Sequence, residues 1–134
     1  MRPTLLDSDT LTLLQKGEPH VKANAVLHIK EFGQSILCQF NYYEVTRGLK
    51  AIGAVAQLAR FEVFCKVHRV LPFSHEAAVL AADIWADLRP KGQLIGEIDV
   101  LIASLALREG LAVATRNASH FGRITGLTIV DWSV

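Results

Sequence analysis

Five short apolar runs recur along the chain: PTLL at 3–6, ILCQF at 36–40, RVLPF at 69–73, LAVAT at 111–115 and LTIV at 127–130. Between them lie stretches whose apolar residues repeat at helical spacing, as in VKANAVLHIKEF at 21–32 and in 97–109. Strands separated by helices favour parallel pairing, because a parallel neighbour is reached only through a crossover of about a dozen residues. The expected fold is therefore α/β, a three-layer sandwich with a central, mostly parallel sheet flanked by helices. No repeat, low-complexity tract or Pro/Gly-rich linker divides the 134 residues, so 1–134 are expected to form a single domain large enough to bury a core. In open sheets of this kind the ligand crevice lies beyond the carboxyl ends of the strands, where strand order reverses. Chemistry is to be sought there.

Punctuation sets the expected helices. They cover 10–16, closed by Gly17, then 21–32, closed by Gly33, then 42–49 and 53–66. Ser74 is expected to cap 75–88, Arg89-Pro90-Lys91-Gly92 to break the chain, and Gly110 to close 97–109 before a short turn of helix near 117–121.

The net charge narrows the function classes. Fourteen Lys and Arg against thirteen Asp and Glu leave +1, which is not the footprint of a protein that holds nucleic acid by bulk charge. Any such contact must be local. No apolar stretch approaches the roughly 20 residues of a membrane span. No secretory leader is visible, and Cys38 and Cys65 do not make a disulfide framework, so a cytoplasmic, reducing location without membrane contact is expected.

Three acids stand where the crevice is expected. Asp7 ends the first strand, while Asp9, two positions later, is placed to cap the first helix, a role worth about 1 kcal/mol. Glu44 follows the second strand, and with Asn41 it has the three-residue spacing of a capping box. Asp99 sits in IGEIDVLIASLAL, in the first turn of an almost wholly apolar helix if Gly96 caps it. The helix dipole favours an anion there by a few tenths of a kcal/mol, but a half-buried carboxylate without a partner costs more than that. Capping accounts for each acid alone. Jointly, three carboxylates at strand ends and a helix start of one sheet can point into one crevice, and a hard divalent cation with oxygen ligands, Mg²⁺ or Mn²⁺, is the usual compensation. The cysteines sit in apolar contexts and no His pair has zinc spacing.

The order of segments resembles the PIN-domain family, within it the VapC-type toxins of bacterial toxin–antitoxin pairs. LLDSDTLTLL resembles the family's first motif, giving Asp7 and the hydroxyl of Ser8. ILCQFNYYEVTRGL resembles the second, giving Glu44, and IGEIDVLIASLALREGLAVATRNASHFGRITGLTIVDW the C-terminal block, giving Asp99, Thr115 and Asn117. The stretch VLPFSHEAAVLAADIWADL also fits, so the resemblance runs from about residue 4 to Trp132. It implies a metal-dependent ribonuclease, the toxin of a type II pair, with Asp7, Glu44 and Asp99 as metal-holding catalytic acids and Mg²⁺ or Mn²⁺ activating a water against an RNA phosphodiester. It also implies a small antitoxin partner and a homodimer, to which Phe61, Phe64 and Trp85 would add aromatic surface. One departure stands out: many relatives carry a fourth acid where RNASHF has His120, whose imidazole can bind the metal, contact phosphate or cap the short helix. Asp9 and Glu97 are further supporting acids. Arg47, three residues after Glu44, and Arg116 are the candidates for gripping RNA phosphates, with Lys50 a weaker third.

Two other readings stay open. The chain can be a PIN-like module that binds RNA or an antitoxin without cutting. Asp7-Ser8-Asp9-Thr10-Leu11 also stands near the Asp-x-Asp-x-Thr nucleophile motif of haloacid-dehalogenase-like phosphatases, although position 11 is Leu where that motif needs Thr.

Overall fold

The structure, a computed structural model, describes residues 1–134. Its strands are β1 (Thr4–Leu6), β2 (Ile36–Cys38), β3 (Arg69–Leu71), β4 (Ala112–Ala114) and β5 (Ile129–Val130). The helices are α1 (Ser8–Gln15), α2 (Pro19–Phe32), α3 (Gln39–Ala51), α4 (Val55–Val67), α5 (His75–Leu88), α6 (Glu97–Glu109) and α7 (Ala118–Phe121). All strand pairs are parallel, in the order β3-β2-β1-β4-β5.

Alternation along each strand builds the three layers. Leu5, Ile36, Cys38 and Val113 join one buried cluster with Ala77, Ala81 and Leu88 of α5 and Val100, Ile102 and Leu105 of α6. Their neighbours Leu6, Leu37 and Ala114 join a second cluster with Leu11 of α1, Val21 and Ala25 of α2 and Phe61 of α4. Successive side chains of a strand face opposite sides, so both faces of this sheet are covered. No helix is long and apolar enough to cross a membrane.

Several local expectations are corrected. β2 stops at Cys38 and Gln39 and Phe40 already belong to α3, because Asn41 Oδ1 accepts the Cys38 backbone N–H at 2.8 Å and starts the helix there. Asn41 thus pairs back to Cys38, and Glu44 lies a turn further on, outside any capping box. α1 begins at Ser8, not at residue 10, and its N-cap is Asp7, whose Oδ1 accepts the Thr10 N–H at 2.8 Å. Asp9 is therefore a first-turn residue and not the cap. α2 begins at Pro19, two residues early, since Glu18 caps it through the Val21 N–H at 2.7 Å and proline suits the first helical position. Phe61 is 1% exposed and completes the core, so it adds nothing to the surface, whereas Trp85 is 37% exposed.

Candidate active site

Strand order turns at β1: the chain lays β2 and β3 on one side and returns to lay β4 and β5 on the other. The crevice lies where β1 and β4 end side by side, and the Asp7 N–H donates to the Ala114 carbonyl at 3.0 Å across them. Beyond these ends opens a cavity of about 530 Å³ whose wall carries Asp7, Ser8, Asp9, Glu44, Asp99 and Arg116, completed by Asn117 and Phe121. Three distant segments thus meet: Asp7 from the β1–α1 junction, Glu44 from the second turn of α3, and Asp99 from the first turn of α6.

Each acid is held differently. Asp7 is 5% exposed, and burial pushes its carboxyl above the usual range, opposed by hydrogen bonds from the Thr115 hydroxyl and from Thr10. Thr115 Oγ1 accepts the Asn117 N–H at 2.9 Å, which leaves its proton to point at Asp7. Glu44 Oε1 accepts the Ser8 hydroxyl, and its Oε2 stands 3.7 Å from Arg47 Nη2. Asp99 is pushed up first by burial and then by the charges of Asp7 and Glu44, with His120 pulling the other way. Asp99 thus lies within electrostatic range of both Asp7 and Glu44. No cationic side chain forms an ion pair with Asp99.

Four carboxylates and one guanidinium, itself tied to Asp9 at 2.8 Å, leave the wall strongly negative. The donors are oxygens, with no thiolate or imidazole among them, a set that suits a hard cation rather than zinc. No three acid, histidine or cysteine side chains are gathered closely enough to hold an ion by themselves. An open acidic wall matches the way Mg²⁺ binds, through one or two carboxylates with several waters retained. The residues fit such an ion.

Other candidates fall outside this wall. Glu97 is exposed and lines a separate apolar cavity of about 380 Å³ with Phe73, Trp85 and Leu101. His120 Nδ1 is engaged by the Asn117 side-chain amide at 2.8 Å, with Asn117 Oδ1 accepting from Ser119 at 3.2 Å, so the imidazole braces the α7 turn. Arg47 lies over the Tyr43 ring at 5.0 Å, beside the cavity rather than in its wall, and Lys50 is likewise absent from it. The sequence reading missed Asn41 as a site residue. It is fully buried and donates to Ser8 Oγ at 3.1 Å, and only its spacing from Cys38, once β2 is seen to end there, would have exposed it.

Comparison with known proteins follows the same lines. The PIN domain family model matches residues 4–127. The tRNA(fMet)-specific endonuclease VapC of Salmonella typhimurium is 32% identical over 134 residues, covering 96% of each chain. VapC ribonuclease Y4jK of Sinorhizobium fredii is 30% identical, covering 95% of each. Among solved structures, DNA-bound VapBC from Salmonella typhimurium matches with a TM-score of 0.87 at 30% identity, over 98% of this chain and 99% of that one. VapBC-1 from nontypeable Haemophilus influenzae matches at 0.84 and 25%, over 98% of both. Leu11, where a haloacid-dehalogenase-like phosphatase needs its Thr, is fully buried in the core, and that reading falls. With the match running from the first residue of β1 almost to β5, and with relatives aligned along nearly their whole length, the chain belongs to the PIN-domain family, as a VapC-type ribonuclease.

Proposed function

We propose that this ribonuclease is the toxin of a type II toxin–antitoxin pair, that residues 1–134 act as one catalytic domain, and that Asp7, Glu44 and Asp99 hold a Mg²⁺ or Mn²⁺ ion. The observation that carries this is the meeting of those three acids, from three separated segments, in one cavity wall whose charges repel. Bound there, the ion supplies a water of lowered pKa and charge neutralisation on the phosphate. The chain's own groups do the rest. Thr10 and Thr115 orient Asp7, Ser8 orients Glu44, and the N-terminal turn of α6 carries Asp99 to the rim. Arg116, in the wall itself, is the better-placed phosphate contact, and Arg47 serves the same strand from outside. His120 and Asn117 support the loop that presents Arg116.

RNA as substrate is supported by the names of the relatives, a ribonuclease and a tRNA-specific endonuclease. An antitoxin partner is supported by the matching structures, which are of VapBC, and by a groove of about 410 Å³ that shares Glu44 with the acidic cavity. Val45, Leu49, Ile52, Lys16 and Arg60 line this groove, so a segment lying in it reaches the acids. A homodimer is supported by the apolar cavity between α5 and α6 at Trp85. Cytoplasmic residence follows from the same reading. The presence of all three core acids, Asp7, Glu44 and Asp99, favours a cutting enzyme over a module that only binds RNA or antitoxin.

The test is cleavage of single-stranded RNA with Mg²⁺, with Mn²⁺ and with chelator, by the wild type, Asp7→Asn and Asp99→Asn. Metal-dependent cleavage lost in both variants is expected. Cleavage that survives chelation, or full activity in both variants, overturns the reading.

A further inference from the structure

Asn41 has no exposed surface, and each end of its amide is committed. Its Oδ1 accepts the Cys38 backbone N–H at 2.8 Å. A backbone N–H can only donate, so the amide oxygen must face the end of β2 and the NH₂ must face the other way. That NH₂ donates to Ser8 Oγ at 3.1 Å. A serine hydroxyl carries one proton and two lone pairs, and with its oxygen already accepting, its proton goes to Glu44 Oε1. The series therefore has one direction, from the Cys38 N–H through Asn41 and Ser8 to the Glu44 carboxylate. It spans the β2–α3 and β1–α1 junctions, the two segments that deliver Glu44 and Asp7 to the cavity.

We propose that Asn41 is a positioning residue for Glu44: by fixing the donor direction of Ser8 it anchors Oε1 and leaves Oε2, which has only Arg47 at 3.7 Å, as the oxygen presented to a cation. The inference rests on the metal reading of the cavity. A bare helix-starting role for Asn41 would need only the Cys38 contact, and nothing in that role requires the NH₂ to meet Ser8.

Asn41→Asp separates the two roles. It keeps an oxygen for the Cys38 N–H, and so keeps the helix start, but it loses the donor and offers Ser8 a competing acceptor. Simple electrostatics predicts tighter Mn²⁺ binding from the added negative charge, whereas the proposal predicts weaker binding. By calorimetry on the full chain, N41D and Ser8→Ala should each bind Mn²⁺ about tenfold or more weakly, the range seen when partners that orient metal ligands are removed. The double variant should be no weaker than S8A, because Asn41 acts through Ser8. Unchanged or tighter binding in N41D, or losses that add in the double variant, overturns the proposal.

A metal-free readout stands beside it. Glu44 and Asn41 share no hydrogen bond and are linked only through Ser8, so the part of the shift of the Asn41 side-chain amide resonances in Glu44→Gln that the relay carries should be lost when E44Q is made in S8A, leaving only the smaller through-space effect of the lost charge. No shift, or the same shift in both backgrounds, refutes the relay. Wild-type protein that binds no Mn²⁺ removes the metal reading instead, and the resonance shifts then decide the relay without it.

Discussion

Arg116 Nε donates to Asp9 Oδ2 at 2.8 Å, joining the residue two beyond β4 to the first turn of α1 across the mouth of the acidic cavity. Both side chains are about half exposed, so solvent screens the pair and it contributes little to stability. Its importance lies in what it holds back: the one cation in the cavity wall is turned onto a carboxylate instead of toward a phosphate. Asp9→Asn should therefore raise affinity for single-stranded RNA in chelator, and Arg116→Ala should lower it. The salt slope in R116A should shrink by about one phosphate contact. Fluorescence anisotropy across a salt series measures both, and an unchanged slope in R116A would sink the assignment.

Relief of repulsion should make the acid variants good folders. Asn caps a helix as well as Asp does, so Asp7→Asn keeps the α1 start while removing a charge that burial disfavours. Asp99→Asn removes one that Asp7 and Glu44 oppose. In chelator, both variants should melt at or above the wild-type temperature. Added Mn²⁺ should raise the wild type's melting point and leave theirs where it was. A clear loss of stability in chelator would show that these carboxylates have partners the cavity does not reveal.

Ser35 offers a stabilising substitution. Its hydroxyl is buried without a hydrogen-bond partner, and an unmade buried hydrogen bond carries a desolvation cost of about 1–3 kcal/mol. Ser35→Ala leaves the backbone contact to His68 in place. It should raise the urea midpoint, by about 0.5–1 kcal/mol in stability once lost packing is set against the relief, with an unchanged slope. A fall in the midpoint would mean the hydroxyl is satisfied in solution.

Two histidines should make the fold acid-sensitive. His28 Nε2 accepts the Thr4 N–H at 3.0 Å while Nδ1 faces the Gln34 carbonyl at 2.8 Å. His68 Nδ1 accepts the Ser35 N–H at 2.9 Å. Accepting nitrogens must be unprotonated, and burial holds both imidazoles below their ordinary value. The folded protein then binds fewer protons than the unfolded chain, so this stability is complete above about pH 6.5 and is lost as pH falls below it toward the folded-state values. His28→Phe should flatten the pH dependence between 7.5 and 5.5 while costing about 1–3 kcal/mol for the orphaned Thr4 N–H. Equal slopes in wild type and H28F would count against the assignment.

The histidines also mark what a one-dimensional reading can reach. Strand–helix alternation gave the layered parallel sheet, because periodicity is written locally, and placing Asp7 and Glu44 just after strands already aimed them at the carboxyl end of that sheet. Which acid caps α1 was not legible: Asp7 and Asp9 are equally good caps in isolation, and the choice falls to Asp7 because β1 stops at Leu6 and α1 can begin at once. Asn41 was hidden for a related reason. FNYYE reads equally as strand end or helix start until the Cys38 N–H is seen to need an acceptor. The Arg116–Asp9 pair, between residues 107 positions apart, is set by tertiary geometry alone.

The central place of β1 has a consequence for synthesis. Thr4, Leu5 and Leu6 register against Ala112, Val113 and Ala114, so the first strand made waits for the second-last one. A ribosome delivers residues in order, and the wall that contains Asp7 also contains Asp99 and Arg116. A nascent chain that has not yet released β4 can pair β1 with β2 but lacks half of that wall. The fold thus carries its own delay, because the wall is complete only once the segment from α6 through Phe121 has left the ribosome.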